Sequence, residues 1–590
     1  MKVKAEWRLR VTKCDVNKLA REAGVNSIIA KILAGRKIQN AEEIKKFMRA
    51  SLNDLHNPFL MKDMDLGTDI ILDAIDEGKK IIIYGDYDAD GVTSTTILYK
   101  GLLNLDANVE YYIPDREAEG YGMSKDRIKI LKEEGAEVIL TCDNGISAVE
   151  EVKLAKELGM QVVVTDHHEL PFIDTEEGRE YIIPEADAII NPKRNDCSYP
   201  FKFLCGAGIA FKFIQALYLK LGLDEKEAYK FIEIAGIGTI CDVVDLIGEN
   251  RIIAKNSLEM IKNTENLGLK ALMDVLGIKD KEIKSYNIGF MIGPCINATG
   301  RLDTASLSVE LFTTNDIHRA KELANILYEL NKIRQDMTMK NVDDIVQIIQ
   351  NSDLKNDKVL VIYKEDIHES IAGIVAGKIK EKFNLPTIIL TKGKEMPKGS
   401  GRSIEEYNLF EELLKCKDLI DKFGGHPMAA GLSIKKENIP ILRKRLNENC
   451  KLTKEDITPK IKIDKRIPLG FVNEELINSL EDLEPFGKGN SAPLFAEKGI
   501  LISEIKFLGK DQNTLKLSCF INNKEKIDAI AFNRADEFKE IIKEKYGDKF
   551  EKIISNPSGL KLDIIFYPII NEFNGYRNKQ LRIKDFRLSL

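Results

Sequence analysis

The stretch Ile81-Ile-Ile-Tyr-Gly-Asp-Tyr-Asp-Ala-Asp-Gly91 decides how the first half of this chain folds. A short apolar run is followed directly by carboxylates at alternate positions, Asp86, Asp88 and Asp90. Side chains two residues apart in an extended backbone point to the same side, so the three carboxylates are expected to converge just beyond a buried strand. Because like charges repel one another, such a group needs a cationic partner, and a divalent metal ion is the usual one. The stretch therefore predicts a strand that ends at a metal site.

A calcium-binding loop and a solvated acidic turn are the alternatives to this metal site. The pattern Asp-x-Asp-x-Asp-Gly also opens the calcium-binding loop of helix-loop-helix proteins, which carries Glu at its twelfth position. That position is Ile97 here, and the residues before Asp86 are typical of a strand rather than a helix. The calcium loop is therefore excluded, whereas a solvated acidic turn can be excluded only by the rest of the chain.

The same succession of strand, polar cluster and helix recurs along the next hundred residues. The predicted strands are 108–113, 137–142, 161–165 and 186–190, and the predicted helices are 93–103, 124–134 and 147–158. Two of these strands end at polar clusters, Asp143-Asn-Gly145 and Asp166-His-His-Glu169. Strands that alternate with helices form a parallel sheet covered on both faces, and ligands bind at its carboxyl edge. The fold class is therefore predicted to be α/β, with the functional residues along one edge of the sheet.

Further parts are predicted on either side of this α/β domain. The predicted limits are 1–75 for a helical segment, 76–278 for the metal-binding domain, 279–350 for a segment with a long connecting helix, 351–450 for a second α/β domain, and 451–590 for a small barrel. The barrel is inferred from short strand-like runs separated by turns. The helical pattern that begins near residue 206 is expected to be interrupted at 237–245.

Composition and charge narrow the class of protein. Hydrophobic residues make up 44% and charged residues 31% of the chain, which is typical of a soluble globular protein. No run approaches the roughly 18 apolar residues of a membrane span, and the start at Met1 lacks the apolar core of a signal peptide. The nine cysteines include no C-x-x-C pair, which favours reduced thiols in the cytoplasm. A net charge of −6 gives no support for bulk electrostatic binding of nucleic acid but leaves room for a local basic groove.

Several polar residues are predicted to meet at the carboxyl edge of the sheet. They are Asp86, Asp88, Asp90, Asp143, Asp166, His167 and His168, with Asp242 as a further candidate. Carboxylates with one or two imidazoles suit Mn²⁺ or Mg²⁺ better than structural zinc, for which the chain has no cysteine set. A bridging carboxylate would let such a group hold two ions and hydrolyse a phosphoester. Taken one at a time, the histidines could belong to a polar loop, and Asp166 and Asp242 could be capping residues.

The motifs around these residues resemble the DHH phosphoesterase superfamily. The first three are Gly85-Asp-Tyr-Asp-Ala-Asp-Gly91, Asp143-Asn-Gly145 and Asp166-His-His168. Four later motifs are similar to the RecJ branch of single-strand-specific exonucleases, namely Asn297-Ala-Thr-Gly-Arg301, Gly399-Ser-Gly-Arg-Ser403, Phe423-Gly-Gly-His-Pro-Met-Ala-Ala-Gly431 and Leu483-Glu-Pro-Phe-Gly-Lys-Gly-Asn490. Each motif alone is a weak match, but the seven together extend the resemblance over nearly the whole chain.

The resemblance implies two Mn²⁺ or Mg²⁺ ions in the active site. Asp88 and Asp90 would bind one ion each, and Asp143 would bridge the two. His167 and Asp242 would complete the shell of the second ion.

The resemblance also implies roles next to the metal ions. Asp86 would be either a further ligand or a neighbour that supports one. His168 would lie near the scissile phosphate and either orient it or help to protonate the leaving 3′ oxygen. Some members of the family have histidine where this chain has Tyr84, which puts a fourth ligand of the first ion in doubt.

The second α/β unit resembles the DHHA1-type domain, which closes over the active site. The residues implied to contact substrate phosphates are Arg301, Ser400, Arg402, Ser403 and His426. The glycines beside Arg402 are expected to expose backbone N–H groups, and its guanidinium offers two donors to a phosphate. His426 is expected on a flexible turn. From the residues alone, an ordinary Gly/Ser turn with an exposed arginine remains the alternative.

The terminal barrel resembles an OB-fold, which binds single strands through basic and aromatic groups. Together the resemblances imply a 5′→3′ exonuclease that hydrolyses single-stranded DNA to 5′ mononucleotides in recombination and repair. Single-stranded DNA is the implied partner, and a single-strand-binding protein and a helicase are candidate protein partners. Membrane association is not expected. The alternatives are an oligonucleotide or cyclic-dinucleotide phosphodiesterase, a pyrophosphatase, and a non-catalytic replication scaffold on the same fold.

Overall fold

The computed structural model describes residues 4–175, 178–573 and 575–589, and it confirms the predicted α/β architecture with a terminal barrel. Met1 and Leu590, which bound the first and last predicted parts, lie outside the described residues. Within those ranges no helix is long and apolar enough to cross a membrane.

The N-terminal segment packs against two different parts of the molecule. Its elements are β1 (Glu6–Leu9), α1 (Val16–Ala23), α2 (Ser27–Gly35), α3 (Ala41–Arg49) and α4 (Met64–Asp76). The apolar faces of α1, α2 and α3 share one core with the C-terminal barrel, whereas α4 packs on the parallel sheet of the first α/β domain. The helical periodicity of the sequence shows that these faces exist, but it does not show which partner covers them.

The catalytic domain is built on the parallel sheet that the acidic stretch predicts. Its elements are β2 (Ile81–Tyr84), α5 (Ala89–Leu103), β3 (Val109–Tyr112), α6 (Lys125–Glu133), β4 (Val138–Cys142), α7 (Val149–Glu157), β5 (Gln161–Thr165), β6 (Phe172–Thr175), β7 (Gly178–Tyr181), β8 (Ala188–Ile190), α8 (Gly206–Lys220), α9 (Glu225–Tyr229), α10 (Ile232–Cys241), α11 (Gly248–Ile261) and α12 (Leu267–Val275). The strands lie in the order β3-β2-β4-β5-β8, all parallel. Burial on both faces explains their continuous apolar runs. The hairpin β6–β7 was not predicted.

The acidic stretch is less extended than predicted. Helix α5 begins at Ala89, earlier than expected, because the Asp88 carboxylate accepts hydrogen bonds from the N–H groups of Asp90 and Gly91 at 2.9 and 3.1 Å. Asp88 is therefore the N-cap, and Asp90 lies in the first turn of the helix. Gly91 permits a close approach, since a Cβ there would lie 2.4 Å from the carbonyl oxygen of Asp86. The three carboxylates converge through a strand-to-helix turn and not through an extended ladder.

The predicted interruption at 237–245 is wrong in its first half. Helix α10 continues through Gly236 and Gly238 to Cys241. A Cβ at Gly236 would lie 2.1 Å from the Ser257 side chain, and one at Gly238 would lie 2.8 Å from a carboxylate oxygen of Asp90. These glycines allow helices to pack closely and do not form a turn.

A long helix connects the two α/β domains, as predicted. The elements between the domains are α13 (Ser285–Asn287), a π-helical turn (Ile288–Ile292), α14 (Gly293–Leu302), α15 (Ser306–Thr313) and α16 (Ile317–Asn351). The second domain contains β9 (Leu360–Tyr363), α17 (Glu369–Phe383), β10 (Thr387–Thr391), β11 (Lys398–Arg402), α18 (Leu409–Leu414), β12 (Ile420–His426), β13 (Ala429–Ile434) and α19 (Ile439–Asn449). Its sheet has the order β12-β13-β11-β10-β9, which places β11 at the centre.

The last part of the chain is the predicted barrel. Its elements are β14 (Lys460–Ile463), β15 (Lys465–Arg466), α20 (Glu474–Glu481), β16 (Phe495–Leu508), β17 (Thr514–Phe520), β18 (Lys526–Ala531), α21 (Ala535–Tyr546), α22 (Phe550–Ser555), β19 (Lys561–Phe573) and β20 (Tyr576–Leu588). The strands pair in the order β16-β17-β18-β20-β19, and β19 pairs again with β16, which closes the barrel. Strand β14 pairs with β1, so the N-terminal segment is joined to the barrel domain.

Candidate functional site

The six predicted metal ligands lie together at the carboxyl edge of the parallel sheet. Together with His168 they form three overlapping groups, and the ligand atoms within each group lie within 4.8 Å of one another. The groups are Asp86, Asp88 and Asp143; Asp90, His167 and Asp242; and Asp143, His167 and His168. All of these residues except Asp242 follow the ends of β2, β4 and β5, with Asp90 in the first turn of α5, and they meet because neighbouring parallel strands end side by side. Asp242 comes from the C-terminal end of α10. The arrangement can hold two divalent ions with Asp143 near both.

The start of helix α8 fixes two of these ligands. The Asp90 carboxylate accepts hydrogen bonds from the N–H groups of Gly206 and Ala207 at 2.7 and 2.8 Å, where the helix dipole favours negative charge. Asp143 has a left-handed backbone with φ of 60°, a conformation that aspartate tolerates better than most residues. A Cβ at Gly206 would lie 2.7 Å from the Cβ of Asp143, so only glycine leaves room there.

The cluster contains buried oxygens that fit a cation. Among the described residues, Asp86 Oδ1 and Asp143 Oδ1 are buried without a hydrogen-bond partner, although Asp143 Oδ1 lies 3.0 Å from His167 Nε2. The same nitrogen lies 3.7 Å from Asp90, and the other ring nitrogen lies 3.8 Å from Asp242. An unpaired buried oxygen is costly, and atoms that approach one another without hydrogen bonding are arranged as ligands of a common ion. Carboxylate oxygens with one imidazole fit Mn²⁺ or Mg²⁺.

Mutual repulsion among the acids is visible in their pKa values. Burial, followed by the charge of Asp88, raises the pKa of Asp90 to about 6. Burial and then the charges of Asp90 and Asp88 raise the pKa of Asp242 to about 8. Burial and the neighbouring carboxylates also hold the pKa values of Asp86 and Asp143 well above the ordinary range. Bound cations would reverse these shifts because they stabilise the charged carboxylates.

His167 is a neutral imidazole in this environment. Burial, followed by the charge of His168, lowers the pKa of His167 to about 3. The neutral ring is the form that binds a metal ion.

Asp166 orients His168 and does not belong to the metal groups. One of its oxygens lies 2.7 Å from Nδ1 of His168 and also accepts the backbone N–H groups of His167 and His168, while the other accepts the N–H of Ile146. Burial would lower the pKa of His168, but the hydrogen bond to Asp166 and its charge raise it to about 9. His168 is therefore a protonated imidazole at neutral pH, and 43% of its side chain is exposed.

Tyr121 reaches the same group from the loop after β3. Its hydroxyl donates to the carbonyl oxygen of Asp143 at 3.1 Å and lies 3.2 Å from Nδ1 of His168. The tyrosine thus connects the turn that carries Asp143 with the exposed histidine. Sequence reasoning missed this residue, although its loop follows a strand of the same sheet edge.

A cavity of about 630 Å³ adjoins the acidic cluster, between the catalytic domain and the second α/β domain. Three arginines line it, namely Arg116 from the loop after β3, Arg301 from α14 and Arg402 from the end of β11. Tyr87, which lies within the acidic stretch, forms part of the same wall. Burial, followed by the charge of Arg116, lowers the pKa of Arg301 to about 9, and the same two causes lower the pKa of Arg402. Cations that repel one another in a cavity form an anion site, and phosphate matches guanidinium groups in shape.

The acids that line the cavity are already paired. Glu369 lies 2.7 Å from the Lys398 ammonium, and Glu117 lies 3.4 Å from His368. They therefore leave the arginines able to bind an incoming anion. Arg116 was also missed by sequence reasoning, because no local pattern links it to the motifs of α14 and β11.

The predicted phosphate contacts of the second domain are only partly brought together. Arg301, Ser400 and Arg402 line the cavity, whereas Ser403 is buried and donates its hydroxyl to the carbonyl oxygen of Tyr407 at 2.6 Å. The structure therefore does not place Ser403 at the phosphate site.

Two local expectations for this domain are wrong. The backbone around Arg402 is not a turn with free N–H groups, because β11 pairs on both sides with β10 and β13. His426 ends strand β12 and does not lie on a flexible turn. Its side chain is exposed outside the cavity lining, and burial, followed by the charges of Arg402 and Lys488, lowers its pKa.

Comparison with protein families divides the chain into three matched regions. The DHH family, N-terminal domain, matches residues 80–239. The DHHA1 domain matches residues 356–452, and the RecJ OB domain matches residues 463–585. These regions coincide with the catalytic sheet, the second α/β domain and the barrel.

Relatives and solved structures extend the similarity over nearly the whole chain. The single-stranded-DNA-specific exonuclease RecJ of Bacillus subtilis is 37% identical over 591 residues, which are 99% of this chain and 71% of that protein. The corresponding protein of Haemophilus influenzae is 31% identical over 94% of this chain and 95% of its own length. The crystal structure of RecJ in complex with Mn²⁺ from Thermus thermophilus matches 99% of this chain and 79% of that chain, with a TM-score of 0.81 and 26% identity. The Mg²⁺ complex from the same organism covers 99% and 78% of the two chains, with a TM-score of 0.75 and 25% identity.

Proposed function

The chain belongs to the RecJ family of single-stranded-DNA-specific exonucleases, and on this basis we propose that it hydrolyses single-stranded DNA in the 5′→3′ direction to 5′ mononucleotides. One observation carries the proposal above all: an acidic cluster that can hold two cations adjoins a cavity lined by three arginines. A phosphodiester backbone needs both kinds of partner, metal ions at the scissile phosphate and guanidinium groups at a neighbouring phosphate.

Two sets of ligands would hold the metal ions. Asp86, Asp88 and Asp143 form one set, and Asp90, His167 and Asp242 form the other, with Asp143 also close to His167. When bound, Mn²⁺ or Mg²⁺ ions supply an activated water molecule and stabilise negative charge on the phosphate oxygens. The chain contributes fixed ligand positions, because helix α8 holds Asp90 and leaves room for Asp143.

His168 is the proposed proton donor to the leaving group. Cleavage that produces 5′ mononucleotides breaks the bond between phosphorus and the 3′ oxygen, which needs a proton as it departs. His168 is protonated at neutral pH, is partly exposed and is held by Asp166. These are the requirements of a general acid.

The cavity is the proposed site of a terminal phosphate. An exonuclease must recognise a strand end, and a terminal phosphate carries up to two negative charges where an internal one carries a single charge. Arg116, Arg301 and Arg402 together provide several donors for such a group. Ser400 adds a hydroxyl on the same wall.

The barrel is the proposed holder of the incoming strand, with single-stranded DNA as the substrate. We further propose the domain limits 1–75, 76–278, 279–350, 351–450 and 451–590. Action in the cytoplasm, in DNA recombination and repair, and cooperation with a single-strand-binding protein and a helicase are proposed from the family resemblance.

End-labelled DNA tests the proposal directly. With Mn²⁺, a single strand labelled at its 5′ end should release labelled mononucleotide at once, whereas a 3′ label should appear only after the strand is consumed. A blunt duplex of the same sequence should resist. Simultaneous release of both labels, or cleavage restricted to dinucleotides, would overturn the proposal, and the second result would favour the oligonucleotide phosphodiesterase.

A further inference from the structure

The motif Leu483–Asn490 of the barrel domain contacts the turn that follows Asp242 in the catalytic domain. The Leu246 N–H donates a hydrogen bond to the carbonyl oxygen of Lys488 at 2.8 Å. A Cβ at Gly487 would lie 2.7 Å from the side chain of Leu246, and one at Gly489 would lie 3.0 Å from the Cβ of Asp245. The barrel domain therefore touches the chain three and four residues beyond a proposed metal ligand.

The turn itself has a conformation that needs external support. Val243, directly after Asp242, has φ of 57°, a region in which a β-branched residue is a steric outlier. Its side chain is 59% exposed, so burial of the isopropyl group does not compensate for the strain. Residues in such conformations persist when the surrounding structure over-determines them. Here the surrounding structure includes the barrel-domain loop.

The loop is stiff enough to give that support. The buried Asn490 donates from its side-chain amide to the carbonyl oxygens of Leu483 and Pro485, both at 2.8 Å. Gly487 and Asn490 exchange backbone hydrogen bonds at 3.0 and 3.2 Å. Arg36, the C-cap residue of helix α2, also donates to the Asn490 side chain. The loop is thus closed on itself and anchored to the N-terminal helices.

A second contact fixes the loop to the catalytic domain beyond the turn. Arg251 of α11 is fully buried and donates to the carbonyl oxygens of Leu483 at 2.9 Å and Asp482 at 3.2 Å. The same guanidinium donates to the carbonyl oxygen of Phe47 and lies over its ring at 3.8 Å. The segment from Asp245 to Arg251, which begins three residues after Asp242, therefore contacts the barrel domain at both ends.

We propose that the loop Leu483–Asn490 is a positioning element that keeps Asp242 in the second metal-ligand set by fixing the turn Val243–Leu246. The barrel domain thereby contributes to metal affinity in addition to holding DNA. The inference rests on the proposed function only in assigning Asp242 to a metal ion. Groups that act through a metal ligand typically change metal affinity 10- to 100-fold when they are altered.

A matched pair of glycine variants tests the proposal. Gly489→Ala places a methyl group against Asp245, whereas Gly559→Ala introduces the same change at a barrel-domain glycine with similarly positive φ and no atom within 4 Å of the added Cβ. Calorimetric titration of the full chain with Mn²⁺, without DNA, should show one of the two ions bound about tenfold more weakly in Gly489→Ala. Gly559→Ala should bind both ions as the unmodified protein does.

Two further variants keep the test valid if Gly489→Ala does not fold, and they distinguish a positioning effect from a general loss of stability. Gly487→Ala meets only the flexible end of Leu246, so it should fold and show the same defect in smaller size. Val243→Gly relieves the strained turn, so the double variant Val243→Gly/Gly489→Ala should recover part of the lost Mn²⁺ affinity. Equal Mn²⁺ affinity in Gly489→Ala, Gly487→Ala and Gly559→Ala would overturn the proposal.

The readout distinguishes this inference from the proposed function. If the unmodified protein binds two Mn²⁺ ions but does not degrade single-stranded DNA, the proposed function fails while the positioning role can still be measured. If it degrades DNA and the Gly489→Ala variant keeps full Mn²⁺ affinity, only the positioning role fails.

Discussion

The acidic cluster of the catalytic domain and the arginine-lined cavity beside it both bring like charges close together, negative charges in the cluster and positive charges in the cavity. In the cluster, burial and neighbouring carboxylates raise the pKa values of Asp90 and Asp242. In the cavity, burial and neighbouring guanidinium groups lower the pKa values of Arg301 and Arg402. Each set of like charges is stable only with a partner of opposite charge. The cluster is therefore a candidate cation site, and the cavity beside it is a candidate anion site.

The two sites differ in how the chain assembles them. The acids come mainly from the ends of adjacent parallel strands, whereas the arginines come from a loop of the first α/β domain, a helix of the connecting segment and a strand of the second α/β domain. Loss of a shared metal ligand should therefore cost more than loss of one of several phosphate donors.

The largest effect is expected from removal of the ligand near both metal positions. Asp143→Ala should reduce the rate on single-stranded DNA on the order of 10³-fold or more, because the first ligand set loses an oxygen and the second loses the carboxylate beside His167. The measurement is kcat at saturating Mn²⁺, with Asp126→Ala on the surface of α6 as the matched control. A loss smaller than tenfold would contradict the shared role of Asp143.

The second-largest effect is expected in the free energy of unfolding of the metal-free protein, which should depend on pH. An aspartate has a pKa of about 3.9 in the unfolded chain, whereas Asp90 and Asp242 in the folded chain have values of about 6 and about 8. A carboxyl group whose pKa is raised by folding makes its full contribution to the free energy of unfolding at pH values below its pKa in the unfolded chain. This contribution is lost as the pH rises through its pKa in the folded chain. The free energy of unfolding should therefore fall between pH 4 and pH 8, by on the order of 3 kcal/mol for Asp90 alone.

Thermal unfolding after chelation measures this loss. The unfolding temperature of the metal-free protein should drop from pH 5 to pH 8, and saturating Mn²⁺ should reduce the drop. Asp242→Asn should flatten the upper part of the metal-free curve. A metal-free unfolding temperature that is constant over this range would show that the carboxylates do not repel one another as described.

On the cationic side, Arg402→Ala should raise KM for single-stranded DNA by roughly 10- to 100-fold and change kcat less, since hydrogen bonds to charged groups contribute about 1.5–3 kcal/mol. Arg402→Lys should restore only part of the loss because lysine cannot offer two parallel donors. The control is Arg445→Ala, which removes a surface ion pair with Asp418 in the same domain. An unchanged KM in Arg402→Ala would remove the cavity from the substrate path.

The smallest effect separates two serines of one motif. Ser400→Ala should raise KM several-fold, because one hydrogen bond of about 1 kcal/mol is lost. Ser403→Ala should leave KM unchanged and lower only the unfolding temperature, since its hydroxyl is bonded to the carbonyl oxygen of Tyr407. The opposite result would restore the original expectation for Ser403 and place the phosphate elsewhere.

Much of the acidic site was predictable because short, local sequence patterns mark the ends of its strands. The end of β2 and the positions of Asp143 and His167 follow from apolar runs that stop at polar clusters, and parallel topology places such ends side by side. The local error in the acidic stretch concerns Asp88, which caps α5 and shortens the extended stretch. Capping depends on a competition between side-chain and backbone hydrogen bonds, and alternation of polar residues does not reveal its outcome.

The remaining features depend on contacts between distant parts of the chain. Periodicity showed apolar faces on the N-terminal helices, but not that they complete the core of the barrel. Deletion of the barrel would therefore expose these faces as well as remove the domain proposed to bind DNA.

Local sequence patterns were enough to predict the α/β fold class, the candidate metal ligands Asp90, Asp143 and His167, and the resemblance to exonucleases. Packing between distant segments, which these patterns do not reveal, brings Arg116 together with Arg301 and Arg402 in one cavity and places the loop Leu483–Asn490 against the turn after Asp242. The physical reason is that strand and helix patterns arise from neighbours in the chain. The contacts between domains, in contrast, join segments that are far apart in the chain and share no sequence pattern.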